Sequence, residues 1–339
     1  MKAVEYKEGY LTLLDQTELP HQTSYKTVNT VEEVAQAIEQ MVVRGAPAIG
    51  ITAAYGAAIG AREFKGGHFS THMERVINRL KNTRPTAVNL HWALKRVSHL
   101  ITDNQSETIQ RLEDEAHLID QEDTTINLAI GQSLQHLVQD GTSFLIHCNP
   151  GMLATSAYGT ATAPFYLAHE QNISFKVYSD ETRPRLQGAL TAYELAQAGI
   201  DVTIITDSTA ATLMQQGEIT AIFVGCDRVA ANGDVVNKIG TLPLAIAAHY
   251  YHVPFYVAAP TPTFDLEVAS GEGIPIEERN PYEVTHIHDK AITVEGSAVY
   301  NPAFDVTPHE LITALATEHG LVDATEEAIK KLFGEEEAK

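Results

Sequence analysis

Phe144-Leu-Ile-His-Cys148-Asn149-Pro150-Gly151 reads as a buried strand that stops on a thiol and a turn. Far along the chain, Ile222-Phe-Val-Gly-Cys-Asp227-Arg228 repeats the pattern with a carboxylate in the reactive position. Neither run alternates apolar with polar residues, as expected of strands covered on both faces. Working outward, similar runs lie at Ser143–His147, Ser174–Tyr178, Val202–Thr206, Ala221–Val224 and Pro254–Ala258. Helical patterns near 153–169, 186–199, 208–216 and 241–251 separate them. This alternation predicts an α/β fold, a mainly parallel sheet with helices on both faces. Ligands of such sheets sit beyond the carboxyl ends of the strands, and Cys148, Asp180 and Asp227 are expected just past those ends.

Before Gly141 the pattern is helix-rich. Tyr10-Leu-Thr-Leu-Leu14 is a strand candidate, ended by Asp15 and then Pro20. Thr30 and Glu33 form a capping box for a helix whose apolar stripe runs Val31, Val34, Ala35, Ile38, Met41, Val42, ended by Gly45 and Pro47. Residues 48–61 predict a buried helix rich in Ala, Ile and Gly. Further helices are expected near 70–82, 87–101 and 106–138.

Lys and Arg total 23 against 44 Asp and Glu, a formal net charge of −21. Such a field repels nucleic acid and anionic membranes over most of the surface. An anionic substrate therefore needs a local basic pocket, which singles out Arg44, Arg84, Arg183, Arg228 and Lys238. No apolar run is long enough to span a membrane, and the first residues lack the apolar region of a secretory signal. With only two cysteines, Cys148 and Cys226, a reducing cytoplasmic location is the expectation.

Cys148 has two readings. Near a helix N-terminus its thiol pKa falls, and the site becomes reactive. Alternatively it is a buried sulfur at a strand end. Gly151, Thr155, Ser156 and Thr160 favour a site, because they leave room and supply donors. Asp227, at the edge of an apolar run, is a candidate general acid if burial raises its pKa. It could instead pair with Arg228 or cap a helix. Cys226 points the other way in an extended strand, and a disulfide to Cys148 is disfavoured in a reducing compartment. Glycine-punctuated basic segments around Arg44, Arg84, Arg183 and Lys238 suit a phosphate. No phosphate loop, dinucleotide fingerprint or nucleophile elbow is present. The pair His286 and His288 lacks further ligands, so no metal is expected there.

Together these segments resemble the methylthioribose-1-phosphate isomerase family, within the superfamily that includes the regulatory subunits of translation initiation factor 2B. The resemblance runs from Leu13-Leu-Asp-Gln-Thr17 to about Val322. Its blocks are Val43-Arg-Gly-Ala-Pro-Ala-Ile-Gly50, Arg84-Pro-Thr-Ala-Val-Asn-Leu90, His147-Cys-Asn149, Asp180-Glu-Thr-Arg-Pro184 with Gln187-Gly188, Asp207-Ser208, Gly225 to Thr241, and Asn301-Pro-Ala-Phe-Asp305-Val-Thr-Pro308. The resemblance implies a smaller helix-rich N-terminal α+β domain, residues 1–125, followed by a Rossmann-like domain, residues 126–339, and a homodimer without metal or nucleotide. It makes Cys148 and Asp227 the catalytic pair. It makes Arg44, Gly45, Ala46, Arg84, Gln187, Asn237 and Lys238 substrate-binding.

The implied reaction converts 5-methylthioribose 1-phosphate to 5-methylthioribulose 1-phosphate in methionine salvage, with a small phosphorylated sugar as the partner molecule. Asp227 would protonate the ring oxygen, and hydrogen would pass from carbon 2 to carbon 1 as a proton carried by Cys148 or as a hydride. Three departures leave the acid–base pair intact but open the choice of sugar, with 5-deoxyribose 1-phosphate or another 5-modified pentose 1-phosphate as the alternative. Pro150 and Met152 stand where smaller residues are expected, Cys226 replaces an Ala, and Ala189-Leu-Thr-Ala192 lacks the family's Arg after Gln187-Gly188. Ribose 1,5-bisphosphate would require additional cations. A non-catalytic regulatory subunit would generally lack Cys148 and Asp227.

Overall fold

The computed structural model describes residues 2–84, 88–287 and 289–334. The chain forms two compact units, Met1–Leu128 with Gly151–Gly159, and Ala129–Pro150 with Thr160–Lys339. Among the described residues no helix is long and apolar enough to cross a membrane.

The first unit opens with an antiparallel sheet of β1 (Val4–Lys7), β2 (Tyr10–Leu14) and β3 (Tyr25–Val28), in that order. Only β2 was legible as a strand, because its flanks are short and β3 is largely exposed. Helix α1 (Val31–Glu39) carries the expected box: Thr30 Oγ1 accepts the Glu33 N–H, and the Glu33 carboxylate accepts the Thr30 N–H. It stops earlier than its apolar stripe implies, because Met41 adopts a left-handed φ of 63°. Helix α2 (Ala46–Arg62) is buried on every side from Ala48 to Ala61 and packs with α1, α3 (Phe69–Lys81) and α4 (Val88–Ser98). Helix α5 (Gln105–Gln135) continues into the second unit.

The Gly151–Gly159 segment cuts short the helix expected near 153–169, which forms only from Ala163 to Glu170. It makes one 3₁₀ turn, Met152–Ala154, and packs in the first unit. Gln16 Nε2 donates to Leu153 O at 2.7 Å, Ser156 N–H to Asp123 Oδ2 at 2.7 Å, and Ser156 Oγ to Asp120 Oδ1 at 2.6 Å. Polar bonds to α5 have thus replaced the local helix. Burial pushes the Asp123 carboxyl up to about 6.

The second unit is the α/β domain. Its elements begin with β4 (Ser143–His147), α6 (Ala163–Glu170), β5 (Lys176–Asp180), α7 (Gln187–Gln197), β6 (Val202–Ile205), α8 (Ala210–Gln215) and β7 (Ala221–Val224). There follow β8 (Arg228–Ala230), β9 (Val235–Lys238), α9 (Thr241–Tyr251), β10 (Phe255–Ala258), β11 (Phe264–Asp265), α10 (Tyr282–Thr285), β12 (His286–Ile287) and β13 (Lys290–Ala291). The last are β14 (Phe304–Thr307), β15 (Ala314–Thr317), β16 (Gly320–Val322) and α11 (Glu326–Gly334). The main sheet has the order β16-β15-β10-β7-β4-β5-β6, parallel throughout except for β16 at the edge. Strand order reverses between β4 and β7, the position at which doubly wound sheets open a crevice at their carboxyl ends. Phe144 of β4, Phe165 of α6 and Phe223 of β7 pack there with ring centroids 4.9–5.6 Å apart. A second sheet, β11-β8-β9-β14, follows β7 and positions Asn237 and Lys238 at the end of β9.

Strand β5 is shifted from the expected 174–178, so Asp180 is its last residue instead of lying beyond it. A Cβ on Gly188 would fall 1.5 Å from Asp180 O, so α7 can start here only on glycine. Gly188→Ala is expected to destabilise the protein by about 3 kcal/mol or more. Thermal unfolding checks this; an unchanged midpoint would show that the backbone moves aside freely.

Candidate active site at the β4–β7 crossover

Cys148 follows β4 directly and sits at a left-handed φ of 64°, unusual for a residue with a Cβ. Its backbone is held on both sides. The N–H donates to Thr182 Oγ1 at 2.9 Å, and the carbonyl accepts Thr191 Oγ1 at 2.7 Å. Thr182 Oγ1 donates in turn to Asp180 Oδ1 at 2.9 Å. Asp180 accepts His147 Nδ1 at 2.8 Å, and His147 Nε2 reaches Ile239 O at 3.0 Å. Both His147 partners are oxygen atoms that can accept, an arrangement that favours hydrogen on both ring nitrogens. Burial opposes that charge, yet Asp180, Asp207 and the Ile239 carbonyl outweigh it and raise the His147 pKa. His147 and Asp180 are each 1% exposed.

The helix N-terminus expected just after Asn149 is absent, since α6 begins only at Ala163. Asn149 Nδ2 instead donates to Thr191 Oγ1 at 3.0 Å and Glu194 Oε1 at 3.3 Å on α7. The expected fall in thiol pKa is also overturned. Burial pushes the Cys148 thiol up to about 11, Asp227 and Asp180 add to the rise, and Lys238 and the Asn149 N–H oppose it. At neutral pH Cys148 is a thiol.

Asp227 lies in the turn from β7 to β8, half-buried, with its N–H donating to Val236 O at 2.9 Å. Arg228, the partner considered from sequence, turns to Asp265 at 3.2 Å. Lys238 is buried; its Nζ donates to Ala303 O at 3.0 Å and lies 4.2 Å from the Phe304 ring centroid. Burial lowers the Lys238 pKa, Arg279 and Arg185 lower it further, and Cys148 and Asp227 act against them. The second unit thus brings Cys148, Asp227 and Lys238 within electrostatic reach of one another.

Gln187 opens α7, with its buried Oε1 unpartnered. Asn237 Nδ2 donates to Thr241 Oγ1 at 3.0 Å. Arg44, Gly45, Ala46 and Arg84 belong to the first unit. Arg44 Nε donates to Met41 O at 3.4 Å, Gly45 caps α2 with φ 87°, and Ala46 is the first residue of α2. A Cβ on Gly45 would fall 2.4 Å from Ala154 Cα. Arg84 immediately precedes residues 85–87, which lie outside the described residues.

Both cysteines are free, and Cys226 Sγ lies 3.4 Å from Thr263 Oγ1. His288 lies outside the described residues; His286 stacks on Tyr282 at 3.7 Å. His147, Asp180 and Asp207 have metal-compatible spacing, but Asp207 already accepts the backbone N–H groups of Thr182 and Arg183 and His147 is committed to Asp180. Sequence reasoning assigned no role to His147, Thr182, Arg279 or Asp305. A histidine inside the apolar run Phe144–His147 was the available signal for the first. Asp305 Oδ2 accepts the Gly240 and Leu242 N–H groups at the start of α9, its Oδ1 is buried without a partner, and burial raises its pKa.

Residues 42–324 match the family model described as the initiation factor 2 subunit family. The chain is 54% identical over 339 residues to a 5-deoxyribose 1-phosphate isomerase of Bacillus thuringiensis (strain Al Hakam), covering 97% of this chain and 98% of the relative. Among solved structures it is similar to 5-methylthioribose 1-phosphate isomerase from Pyrococcus horikoshii OT3 (TM-score 0.93, 42% identity, 98% of this chain and 96% of that one). It is also similar to the translation initiation factor eIF-2B, subunit delta, from A. fulgidus (TM-score 0.89, 38% identity, 98% and 99%).

The His147–Asp180 pair makes stability pH-dependent. The folded His147 pKa is raised above an unfolded value near 6.5. Its contribution is therefore complete below about pH 6.5 and lost as pH rises through the folded pKa. Asp180→Asn is expected to remove this slope and to destabilise the protein by about 3–5 kcal/mol at pH 6. Denaturant unfolding across pH tests it; an unchanged slope in the variant would place the charge elsewhere.

Proposed function

The chain belongs to the initiation factor 2 subunit family and, as an isomerase, to its aldose–ketose branch, and we propose that it converts 5-deoxyribose 1-phosphate to 5-deoxyribulose 1-phosphate. The observation that carries this reading is the thiol–carboxylate–ammonium group at the β4–β7 crossover, in a chain 54% identical to a 5-deoxyribose 1-phosphate isomerase along nearly its whole length. The second reading, 5-methylthioribose 1-phosphate, draws on the Pyrococcus horikoshii neighbour at 42% identity. The non-catalytic reading is less well supported, because Cys148 and Asp227 are both in place.

A sugar phosphorylated on its anomeric oxygen opens only if the ring oxygen is expelled from carbon 1. Asp227 protonates that oxygen as the bond to carbon 1 breaks, and the phosphate-bearing carbon becomes electron-deficient. Hydrogen then moves from carbon 2 to carbon 1, and the carbon 2 hydroxyl loses its proton to become the ketone. The thiol pushed up to about 11 guides the choice of route. At pH 7 only about one sulfur in 10⁴ is ionised, which disfavours a resting thiolate as the base for a carbon-bound proton. We therefore assign a hydride shift. The carbon 2 hydroxyl passes its proton to Cys148 as the thiol hands its own to the Asp227 carboxylate. The sulfur stays neutral, Asp227 recovers the proton it gave, and no external oxidant or reductant is consumed.

Deuterium at carbon 2 is expected at carbon 1 of the product without loss to solvent; washout would restore the proton route. Asp227→Asn should lower kcat by about 10²–10⁴-fold. Cys148→Ala should fall in the same range, while Cys148→Ser, whose hydroxyl can also relay, should retain more activity than the Ala variant. Serine no better than alanine would remove the relay. Side-by-side kcat/KM values for the 5-deoxy, 5-methylthio and 5-phospho pentose 1-phosphates test the substrate. A preference of about tenfold or more for the 5-deoxy sugar is expected over the 5-methylthio sugar, the scale on which apolar pockets separate substrates. The reverse order would establish the second reading, and turnover of none would end the proposal.

A further inference from the structure

A closed ring of hydrogen bonds follows Cys148 and is distinct from the proton relay. Thr191, on α7 and buried, donates its hydroxyl hydrogen to Cys148 O at 2.7 Å and accepts Asn149 Nδ2 at 3.0 Å. The Asn149 side chain thus folds back, through one threonine hydroxyl, onto the carbonyl of the peptide that joins it to Cys148. Its second amide hydrogen goes to Glu194 Oε1 at 3.3 Å, one turn further along α7. A hydroxyl has one hydrogen to give, so the direction of the ring is set: amide to hydroxyl, hydroxyl to carbonyl. Pro150 restricts the backbone of Asn149 before it. A peptide is planar and trans, so its C=O and N–H point in opposite directions. Holding the Cys148 carbonyl on α7 therefore aims the Asn149 N–H away from α7. That N–H acts on the Cys148 sulfur as a hydrogen-bond donor.

We propose that Thr191 and Asn149 are positioning residues for the isomerisation: together they lock the peptide between Cys148 and Asn149 so that its N–H stays fixed on the sulfur. This deepens the isomerase reading and rests on it for the reaction served. In the relay the sulfur takes a proton from the carbon 2 hydroxyl and gives its own to Asp227. When its own proton leaves first, negative charge builds up on sulfur, and a fixed N–H stabilises that charge without reorganising. The charged groups that act on the sulfur are Lys238 at the end of β9, Asp227 after β7 and Asp180 at the end of β5. The two carboxylates resist the charge, and Lys238 and the peptide N–H offset them. Without the ring, Cys148 would be held only through its own N–H, by Thr182. It could then leave its φ of 64°, seldom adopted by a residue with a Cβ, and carry the Asn149 N–H off the sulfur.

Thr191→Val keeps the volume and removes the hydroxyl, whereas Thr191→Ser keeps the hydroxyl. With the pentose 1-phosphate, Thr191→Val is expected to lower kcat about tenfold or more and leave KM nearly unchanged, and Thr191→Ser to recover most of the loss. A second readout needs no turnover: the rate at which iodoacetamide alkylates Cys148, followed by mass spectrometry on the peptide that carries it. Loss of the N–H leaves about tenfold less thiolate near neutral pH. The greater nucleophilicity of a more basic thiolate offsets part of this, so alkylation of Thr191→Val should slow by about threefold and return to the wild-type rate in Thr191→Ser. Asn149→Ala opens the ring from its other side and should behave like the valine variant, and it carries the test if that variant does not fold. Unchanged kcat in the valine variant would overturn the proposal whatever its melting temperature, as would a lowered kcat with wild-type alkylation or a serine variant no better than valine. Slower alkylation of Cys148 in a protein that turns over none of the candidate sugars would uphold the locked peptide while ending the isomerase assignment.

Discussion

One buried ion pair organises the second unit. The ring of His147 and the carboxyl group of Asp180 stand at the ends of adjacent parallel strands, β4 and β5, out of contact with water. Removing two charges from water costs several kcal/mol each, and their attraction offsets this only when the remaining polar atoms are also satisfied. Here they are. Ile239 takes the far ring N–H, and Thr182 donates to the carboxylate. The same threonine oxygen accepts the Cys148 N–H. The pair therefore holds the residue after it in a left-handed conformation that a free chain would seldom adopt. Thr182 and Leu186, in the loop that follows β5, share that conformation.

Charge has been distributed in two opposed patterns. The chain as a whole carries a formal net charge of −21, while Lys238, Arg279 and Arg185 stand together in one part of the second unit. The acidic surface discourages anions in general, and the low-dielectric interior strengthens the few fixed cations. The same burial that disfavours the ammonium of Lys238 disfavours the thiolate of Cys148. A medium that resists ionised sulfur suits a hydrogen transfer that needs none.

The main sheet was legible because its physics is local. Apolar runs such as Phe144–Ile146 and Ile222–Val224 have few other ways to be buried, and the alternation with helices fixes their parallel pairing. The thiol and the carboxylate were legible for the same reason, as polar residues placed where such runs stop. What could not be read depended on partners distant in sequence. The segment Gly151–Gly159 has helical composition, but Asp120, Asp123 and Gln16 offer its backbone and side chains better bonds than a helix would. The thiol's environment was misjudged because a helix dipole was inferred from the turn Asn149-Pro150-Gly151, whereas burial decides the direction of its shift. Asp305 and Arg279 lie far along the chain in segments with little periodicity. Their burial becomes visible only once β14 pairs with β9.

That pairing explains why the second, smaller sheet exists at all. A doubly wound sheet places β4 and β7 side by side but supplies only what their own ends carry, here the thiol and the turn that leads to Asp227. A cation must come from elsewhere. The chain leaves β7, makes the β8–β9 hairpin, and returns Lys238 to the crossover at the end of β9, immediately before the start of α9. Gly240, with φ 106°, makes the turn into α9, where a Cβ would fall 2.8 Å from His147 Cε1. Asp305, on β14, accepts the first N–H groups of α9. One strand thus caps the helix that passes the ion pair and supplies, through Phe304, the ring beneath Lys238. The ion pair, the helix start and the cation are therefore held by a common set of contacts. A shift in any one would be transmitted to the other two before it reached Cys148.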